Sequence, residues 1–448
     1  MEDTENLNMF PNQGNKDDSF FQGQWEVING RAWYRPATVS PEDLQLPCLR
    51  STREIYFYGP KNRIAPCGVN EGFDANDIDA MFDCVNDVNK GIKRKECNHC
   101  WNDETHGTMS MRQKGNIGWS IPTHGNSHTE FTLSNECPAA CIYCNSTYSS
   151  TWKQQILNSK AKVPEELLTR NPLNIPDVAS KQSIDIFKNV VKYIGEHPEK
   201  LACIGLNGGE PLLWLEKDDN LHDILTTFFD ANQMWNRSFR YDIITSLNVS
   251  REECKKLIAY CNSYKKKFPS FFPVFQVSFE STGPLFNYVR YGNSWDTFHK
   301  NLCLILSETD YIVEIKAMFN NVMAPGMTEF INYVNMLSKT YRPIMVSQSI
   351  ASARPLGFNY LDESFYQFID NALSYIEKNK MYLTNVGSME AREGLIGTLQ
   401  YIKDIINTDT DKNRKIEAIE FFNWLKEERG QDLKEVNVHL YDFLHKNI

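Results

Sequence analysis

Short apolar runs alternate with longer amphipathic stretches through the middle of the chain. Six of these runs have the length and the β-branched or aromatic content of strands, and they cover residues 129–134, 202–206, 241–246, 274–279, 312–319 and 344–349. Between them, apolar residues recur at helical spacing in residues 184–194, 221–229, 252–260, 295–306 and 329–337. Strands that alternate with helices indicate an α/β fold with a parallel sheet, which can be open or curled into an incomplete barrel.

The two ends of the chain lack this alternation. Near the amino terminus, the turn at Asn29-Gly30 between two short apolar runs predicts a hairpin. Towards the carboxyl terminus the strand signals fade, and apolar residues spaced as in Ile416, Ile419 and Phe422 predict helices that pack on the main domain. We therefore divide the chain into a disordered polar tail, a cysteine-rich segment, an α/β domain and a helical extension, which cover residues 1–24, 25–115, 116–358 and 359–448.

Composition narrows the classes of function. With 448 residues, 41% of them hydrophobic, the chain is long enough for a substantial core. Its 47 basic and 57 acidic residues give a net charge of −10, which argues against broad nucleic-acid binding. No apolar stretch reaches the length of a membrane span, and Met1 is not followed by the apolar core of a signal peptide. We therefore expect a cytoplasmic protein with reduced thiols and with neither a nucleic-acid nor a membrane partner.

Three cysteines lie in one short loop that follows the first of the six predicted strands. They are Cys137, Cys141 and Cys144, spaced C-x3-C-x2-C, and Tyr143 precedes the last of them. Three thiolates on adjacent turns can face one centre, which suits an iron–sulfur cluster or a soft metal ion better than disulfides. Three ligands also leave one position of a four-iron cluster open to a substrate.

A second motif, Gly208-Gly209-Glu210-Pro211, follows the second predicted strand. The carboxyl ends of parallel strands share one edge of the sheet, so we expect this motif beside the cysteine loop. Its two glycines allow a close backbone approach, and the Glu210 carboxylate can bind an ammonium group. Taken alone, the motif is typical of an ordinary turn. Its predicted position beside the cysteine loop makes it a stronger indication of a binding site.

Together the two motifs resemble those of radical S-adenosylmethionine (SAM) enzymes. The resemblance covers roughly residues 128–358 and implies a partial (β/α)6 barrel. It implies that Cys137, Cys141 and Cys144 bind a [4Fe-4S] cluster whose open iron chelates SAM, and that residues 208–211 contact the methionine amine of SAM. The implied reaction is reductive cleavage of SAM to a 5′-deoxyadenosyl radical, which abstracts a hydrogen atom from a substrate. The electron would come from a reductant such as a flavodoxin or a ferredoxin.

Further positions match this family more loosely. A hydroxyl after the third strand, Thr245 or Ser246, and Ser278 on the fourth strand are implied ribose contacts. Glu280 stands where many members have Asp, which leaves its role open. For Arg290 a surface salt bridge and a ligand contact are equally open, and three weaker candidates are Lys316, Asn321 and Gln348.

A second group of cysteines lies before the α/β domain. Cys97 and Cys100 form a C-x2-C pair, and Cys48 and Cys67 could complete a four-thiolate site for iron–sulfur or zinc. The string from Cys97 to Arg112 resembles the end of a twitch-type auxiliary-cluster module, which one radical-SAM subgroup carries in front of the barrel. The string at residues 149–152 and the segment at Arg429-Gly430 also resemble that subgroup.

The subgroup resemblance implies an auxiliary [4Fe-4S] cluster on Cys48, Cys67, Cys97 and Cys100 that transfers electrons. Structural zinc in the same ligands is the alternative, and Cys84 could replace Cys48. The other four cysteines are predicted to be small buried hydrophobic residues, and they are Cys203, Cys254, Cys261 and Cys303.

Two classes of function remain at this point. The favoured one is a radical SAM enzyme whose substrate, a peptide or protein side chain or a small metabolite, the sequence does not identify. The other is a non-catalytic protein that binds structural zinc or iron–sulfur on a barrel scaffold. Such a site would need a fourth protein ligand near the cysteine loop, and the nearest upstream candidate, His128, lies at the opposite end of the first strand. No residue is assigned as a catalytic acid or base.

Overall fold

The structure is a computed structural model, and it describes only part of the chain. The described residues are 23–28, 31–36, 48, 54–67, 70, 72–105, 110, 112–113, 128–195, 203–213, 226, 239–269, 271–351, 354–384, 391–409 and 413–446. The predicted tail lies outside them up to residue 22, while Gly23 and Gln24 already belong to a strand. The predicted helix at 221–229 also lies outside them except for Thr226.

The strands belong to a hairpin and to one larger sheet. The hairpin consists of β1 (Gly23–Ile28) and β2 (Arg31–Pro36), which pair antiparallel as predicted, while the predicted turn at Asn29-Gly30 lies outside the described residues. The larger sheet contains β3 (Glu54–Tyr58), β4 (Arg63–Ala65), β5 (Phe73–Asp74), β6 (His128–Thr132), β7 (Cys203–Leu206), β8 (Phe239–Thr245), β9 (Phe271–Ser278), β10 (Ile312–Phe319) and β11 (Met345–Ile350).

The order of the nine-stranded sheet is β11-β10-β9-β8-β7-β6-β3-β4-β5. The strands β6 to β11 lie side by side in chain order and are all parallel, which confirms the predicted α/β pattern. The strand β3 extends this sheet in parallel beside β6, and β4 and β5 add antiparallel. The cysteine-rich segment therefore shares its sheet with the α/β domain.

Helices separate the strands and follow them. The segment before β6 contains α1 (Ile78–Asn89) and α2 (Asn98–Thr105). The parallel strands are connected by α3 (Ser150–Leu157), α4 (Glu165–Arg170), α5 (Lys181–Gly195), α6 (Arg251–Lys267), α7 (Gly283–Val289), α8 (Trp295–Glu308) and α9 (Met327–Thr340). The chain then forms α10 (Tyr366–Lys378), α11 (Ala391–Ile405), α12 (Asn413–Arg429), α13 (Leu433–Val436) and α14 (Val438–His445). Within the described residues, no helix has the length and apolar character needed to cross a membrane.

The helix α6 shows how local sequence sets these elements. Ser250 and Glu253 form a reciprocal capping box at its start, which satisfies two backbone N–H groups that would otherwise lack partners. Residues 265–267 are the lysines of its last turn, where positive charge is favourable against the helix dipole. Lys265 also pairs with Asp310 at 2.8 Å on the surface. This basic patch is therefore a solvated helix end.

Aromatic packing joins the sequence segments into one core. Phe187 of α5 stacks on Phe57 of β3, with 4.4 Å between ring centroids, and also contacts Phe131 of β6 at 5.0 Å. At the other end of the chain, Trp424 of α12 stacks on Trp152 of α3 with 5.9 Å between centroids. The carboxyl-terminal helices therefore pack directly against the helix that follows the cysteine loop.

Candidate functional site

The cysteine loop, residues 135–146, is held by backbone hydrogen bonds to the last residue of α7 and to the segment that follows it. The amide of Ala140 donates to the carbonyl of Tyr291 at 2.8 Å, and the amide of Ile142 donates to that of Val289 at 2.9 Å. Gly292 has φ +91°, and a Cβ there would lie 2.5 Å from the carbonyl oxygen of Pro138. Only glycine permits this backbone contact, so the close packing of the loop against this segment depends on Gly292.

The start of α3 anchors the loop from another side. Residues 149–152 direct three side chains to backbone carbonyls of the loop. The bonds join Ser149 Oγ to Ala139 O at 2.6 Å, Thr151 Oγ1 to Cys137 O at 2.5 Å and Trp152 Nε1 to Cys141 O at 2.8 Å. Because these carbonyls lie at or beside the cysteines, the bonds fix the backbone from which the thiols project.

The glycine motif meets the cysteine loop, as the parallel topology predicts. The amide of Glu210 donates to the carbonyl of Glu136 at 2.7 Å. Gly208 and Gly209 have φ values of +81° and +59°, and a Cβ on Gly208 would lie 2.2 Å from the Thr132 side chain. The two motifs are thus locked together by backbone contact at the carboxyl edge of β6 and β7.

Gly209→Ala should destabilise the protein more than a glycine substitution in open space. A Cβ at Gly209 would lie 2.4 Å from the carbonyl oxygen of Glu136, so the backbone of the loop must move. We expect a left-handed strain of about 1–2 kcal/mol plus about 1–3 kcal/mol for overpacking. The matched control is Gly91→Ala, since Gly91 has φ +79° and nothing within 4 Å of its Cβ position. Equal losses in the free energy of unfolding, measured by urea denaturation, would contradict the tight contact.

The thiols of the loop are shielded from water. Cys141 is buried, and Cys137 and Cys144 are half-buried. Burial raises the pKa of all three thiols, that of Cys144 to about 12, and the neighbouring thiolates raise the pKa values of Cys137 and Cys144 further. Within the described part of the chain, no three or more His, Cys, Asp or Glu side chains form a set that could hold a metal ion. The three thiols therefore share one loop and interact electrostatically without forming a closed ligand set.

Three arginines supply positive charge to this loop. The guanidinium group of Arg170 donates to the carbonyl of Ile142 at 3.2 Å, and that of Arg429 donates to the carbonyl of Ala140 at 3.0 Å. Arg290 and Arg429 oppose the rise in the pKa of Cys141, and Arg170 opposes the rise for Cys144. The chemistry of the loop, three thiols with arginines nearby, suits an anionic thiolate-bound centre, although the thiols do not form an assembled ligand set in this structure.

Glu210 is almost completely shielded, with 1% of its surface exposed. Its carboxylate accepts hydrogen bonds from Thr245 Oγ1 at 2.6 Å and from the amide and hydroxyl of Ser246 at 2.9 and 2.5 Å. Burial raises the pKa of Glu210, and these hydrogen bonds oppose the rise. Among the described residues, no cation forms an ion pair with it. The hydroxyls singled out as ribose contacts therefore hold Glu210 in place, and their ribose role stays a prediction.

Glu280 and Arg290 form a buried ion pair. The guanidinium group donates from Nε to Oε1 at 3.1 Å and from Nη2 to Oε2 at 2.7 Å, and neither side chain is more than 4% exposed. The interpretation of Arg290 as part of a surface salt bridge is therefore wrong. Tyr143 of the cysteine motif donates its hydroxyl to Glu280 Oε2 at 3.2 Å and lies under the Arg290 guanidinium group at 5.4 Å. The pair thus orients the aromatic residue of the motif.

Charged side chains on three neighbouring strands form a separate network. Gln276 Nε2 donates to Asp242 at 2.9 Å and to Glu314 at 3.3 Å. Arg240 pairs with both carboxylates at 2.5 and 3.3 Å, and Lys316 pairs with Glu314 at 2.7 Å. Burial would raise the pKa of Glu314, but the two cations outweigh it and the pKa is lowered. Of this network, only Lys316 was a candidate from the sequence, because residue spacing does not reveal which side chains on different strands are neighbours.

The remaining loose candidates have ordinary surroundings. The amide of Asn321 donates to Pro355 O, Gly357 O and Tyr360 Oη, all within 2.9 Å, so it fixes the loop after β11. Gln348 donates to Val346 O at 3.1 Å. Ser278 ends β9, where it lies opposite Lys316 of β10. These contacts assign a structural role to Asn321 and leave Ser278 as a predicted ribose contact.

The amino-terminal cysteines gather in one neighbourhood. Cys48, Cys67, Cys84 and Cys100 are buried, and Cys97 is half-buried. Cys84 and Cys97 share a side-chain hydrogen bond, Cys48 interacts electrostatically with Cys100, and Cys67 does so with Cys84. These interactions link Cys97 to Cys84 and Cys100, but among the described residues the cysteines form no set of three or more that could hold a metal ion, so the four-cysteine site stays a prediction.

Amide groups also donate hydrogen bonds to cysteine sulfur in this region. Asn70 Nδ2 donates to Cys97 Sγ at 3.4 Å, and the backbone amide of Arg112 donates to the Cys100 sulfur. The side chain of Arg112 in turn pairs with Glu104 at 2.9 Å, which fixes the string that follows the C-x2-C pair. Hydrogen bonds to cysteine sulfur are one means by which proteins tune iron–sulfur sites. Outside this group, Cys254 and Cys261 are buried as predicted, whereas Cys203 and Cys303 are half-buried.

Comparisons with known proteins do not identify a family for this chain. No protein-family model and no curated protein matches the chain. One similar solved structure is that of Streptococcus suis SuiB bound to precursor peptide SuiA, with 11% identity and a TM-score of 0.36, and the match covers 68% of this chain and 53% of that one. Another is a GH138 enzyme targeting pectin rhamnogalacturonan II, with 9% identity, a TM-score of 0.21 and coverages of 59% and 40%. The chain thus spans about half or less of either neighbour, and at these TM-scores neither likeness carries an argument.

Proposed function

We propose that the chain is a radical SAM enzyme whose [4Fe-4S] cluster is bound by Cys137, Cys141 and Cys144. The observation that carries the proposal is the contact between the two motifs, in which the Glu210 amide donates to Glu136 O at 2.7 Å. This contact brings the loop that carries the three thiols next to a shielded carboxylate that has no cationic partner among the described residues. When bound, the cluster and SAM would supply an electron and a 5′-deoxyadenosyl radical that abstracts a hydrogen atom from the substrate.

The residues of the chain would position these groups. Glu210 is held by Thr245 and Ser246 with its negative charge available to the methionine ammonium group of SAM, next to Gly208 and Gly209. Tyr143 is oriented by Glu280, and the burial of this region keeps water from a reactive intermediate. Ser246 and Ser278 remain the proposed ribose contacts, although Ser246 would then also serve Glu210.

We extend the proposal to the architecture and to the surroundings of the enzyme. The six in-order parallel strands would curl into a partial (β/α)6 barrel within residues 116–358, preceded by a twitch-like module at 25–115 and followed by helices at 359–448. The network around Asp242 and Glu314 would line the substrate side of that barrel. The substrate would be a peptide or protein side chain or a small metabolite. A flavodoxin or ferredoxin in the cytoplasm would supply the electron.

Anaerobic reconstitution tests the proposal. The protein is loaded with iron and sulfide, reduced with dithionite and given SAM, and 5′-deoxyadenosine is measured by mass spectrometry. About eight irons per chain are expected from two four-iron clusters. Zinc at both cysteine sites, together with no SAM cleavage, would favour the non-catalytic metal-binding protein and overturn the proposal.

For the second site we propose an auxiliary [4Fe-4S] cluster on Cys48, Cys67, Cys97 and Cys100. Their shared neighbourhood and the hydrogen bonds to Cys97 and Cys100 support this assignment. The contact between Cys84 and Cys97 makes Cys84 the one competitor of Cys48 among the described cysteines.

Cys97→Ala should remove about half of the iron, because one of two four-iron clusters loses a ligand. SAM cleavage should persist, since the cysteine loop is untouched. The variants Cys48→Ala and Cys84→Ala test which of these two cysteines is a ligand. Only Cys48→Ala should lower the iron content. Iron loss in the Cys84 variant alone would reassign the fourth ligand, and zinc in wild-type protein at this site would replace the auxiliary cluster by a structural metal.

A further inference from the structure

Arg429, the last residue of α12, contacts the backbone of the cysteine loop. Its guanidinium group donates from Nη1 to the carbonyl of Ala140 at 3.0 Å. It lies 4.1 Å from the ring centroid of Trp152 and 4.8 Å from that of Tyr291, the two aromatic residues that themselves hold the loop. Arg429 thus contacts the cysteine loop although it lies 289 positions away from Ala140 in the sequence.

The positive charge of Arg429 is not balanced by a neighbouring carboxylate. Its Nε and Nη2 are shielded from solvent and have no hydrogen-bond partner among the described residues. Within that same part of the chain it forms no ion pair, while Arg170 lies close enough to repel it. A buried charge without a partner is costly, so a positively charged side chain in this position indicates an anion that is not among the described residues.

Arg170 shares part of this pattern, but it has a carboxylate partner. Its Nη2 donates to Ile142 O at 3.2 Å, while its shielded Nε and Nη1 have no hydrogen-bond partner in the described residues. Glu166 is the nearest carboxylate at 3.8 Å. Arg290, by contrast, is fully paired with Glu280 at 2.7 Å. Arg429 is therefore the cation at the loop that has the least compensation.

Resting on the proposed function, we infer that Arg429 balances the charge of the metal centre on the cysteine loop and positions the loop for it. Thiolate-bound iron–sulfur clusters are anionic and become more negative on reduction. A fixed cation under the loop stabilises the reduced form more than the oxidised form and so raises the reduction potential.

The test is a redox titration monitored by electron paramagnetic resonance on the reconstituted full chain. The signal of interest is the one that disappears in the variant lacking all three loop cysteines. Arg429→Met should shift the midpoint potential of that signal to a more negative value, while Arg429→Lys, which keeps the charge, should shift it less. The matched control is Arg414→Met on the same helix, since Arg414 pairs with Asp409 at 2.9 Å, and it should leave the potential unchanged. An unchanged potential in Arg429→Met overturns the inference.

Thermal unfolding provides a readout that does not depend on activity. Arg429→Met should lower the melting temperature of the loaded protein more than that of the metal-free protein, because the anion is present only in the former. Equal losses in both forms, or failure of the metal-free variant to fold, would show that Arg429 only packs α12 against the loop. Wild-type protein that takes up no iron would overturn the proposed function together with this inference, whereas a loaded wild type with unaffected variants overturns the inference alone.

Discussion

Replacing Cys137, Cys141 and Cys144 together by alanine should abolish SAM cleavage and remove about half of the bound iron. The expected loss is complete because the variant removes every protein ligand of the proposed cluster, while the Glu210 side of the site remains. The remaining iron should belong to the amino-terminal cysteines. Iron and sulfide are measured after anaerobic reconstitution, and 5′-deoxyadenosine is measured after reduction in the presence of SAM.

The control for this triple variant is the removal of two cysteines that serve only packing. Cys254 and Cys261 are buried on α6, away from both cysteine groups, and the variant Cys254→Ala/Cys261→Ala should retain both iron and cleavage. Full cleavage in the triple loop variant would refute the site assignment. A loss of all iron would instead indicate that the two groups of cysteines bind their metals together.

The parallel sheet could be predicted from the sequence because its signal is local. Most of the strands β6 to β11 contain several apolar or β-branched residues in a short run, and the helices between them have apolar residues at helical spacing. Parallel strands in chain order bring their carboxyl ends to one edge. The contact between Glu210 and Glu136 therefore followed from topology, without knowledge of any side-chain position.

The strands that extend the sheet beyond β3 were not predicted. β4 has three residues and β5 has two, so neither is long enough to show an alternating pattern. Their pairing is set by the tertiary contact of β3 with β6, in which Phe57 pairs with Phe131. Short edge strands of this kind depend on a partner that the local sequence does not reveal.

The cations around the loop were also beyond the reach of the sequence. The family resemblance pointed to Arg290 and to the segment containing Arg429, but not to their partners, since Glu280 lies ten residues away and Ala140 lies 289 residues away. Nothing in the sequence indicated Arg170. Charge pairing across a folded core is decided by which helices pack on the loop, and helix order alone does not determine this.

Arg290→Met should cost about 3–5 kcal/mol of unfolding free energy, because it leaves the Glu280 carboxylate buried without its counter-ion. Glu280 is 0% exposed, and Arg290 donates two hydrogen bonds to it. Interaction with Glu280 raises the pKa of Arg290 despite burial, so the guanidinium group stays positively charged. Urea denaturation of the metal-free protein measures the loss, which separates it from any effect on cluster binding.

Two further variants distinguish a buried ion pair from simple packing. Removing both charges in Glu280→Leu/Arg290→Met should recover most of the loss, since apolar residues of similar volume leave no buried charge unpaired. At the surface, Lys265→Met breaks the exposed pair with Asp310 and should cost less than about 1 kcal/mol. If Arg290→Met is as mild as Lys265→Met, the ion pair does not support the cysteine motif. If the double variant is the least stable of the three, the cost arises from lost volume and from the Tyr143 contact instead of from charge.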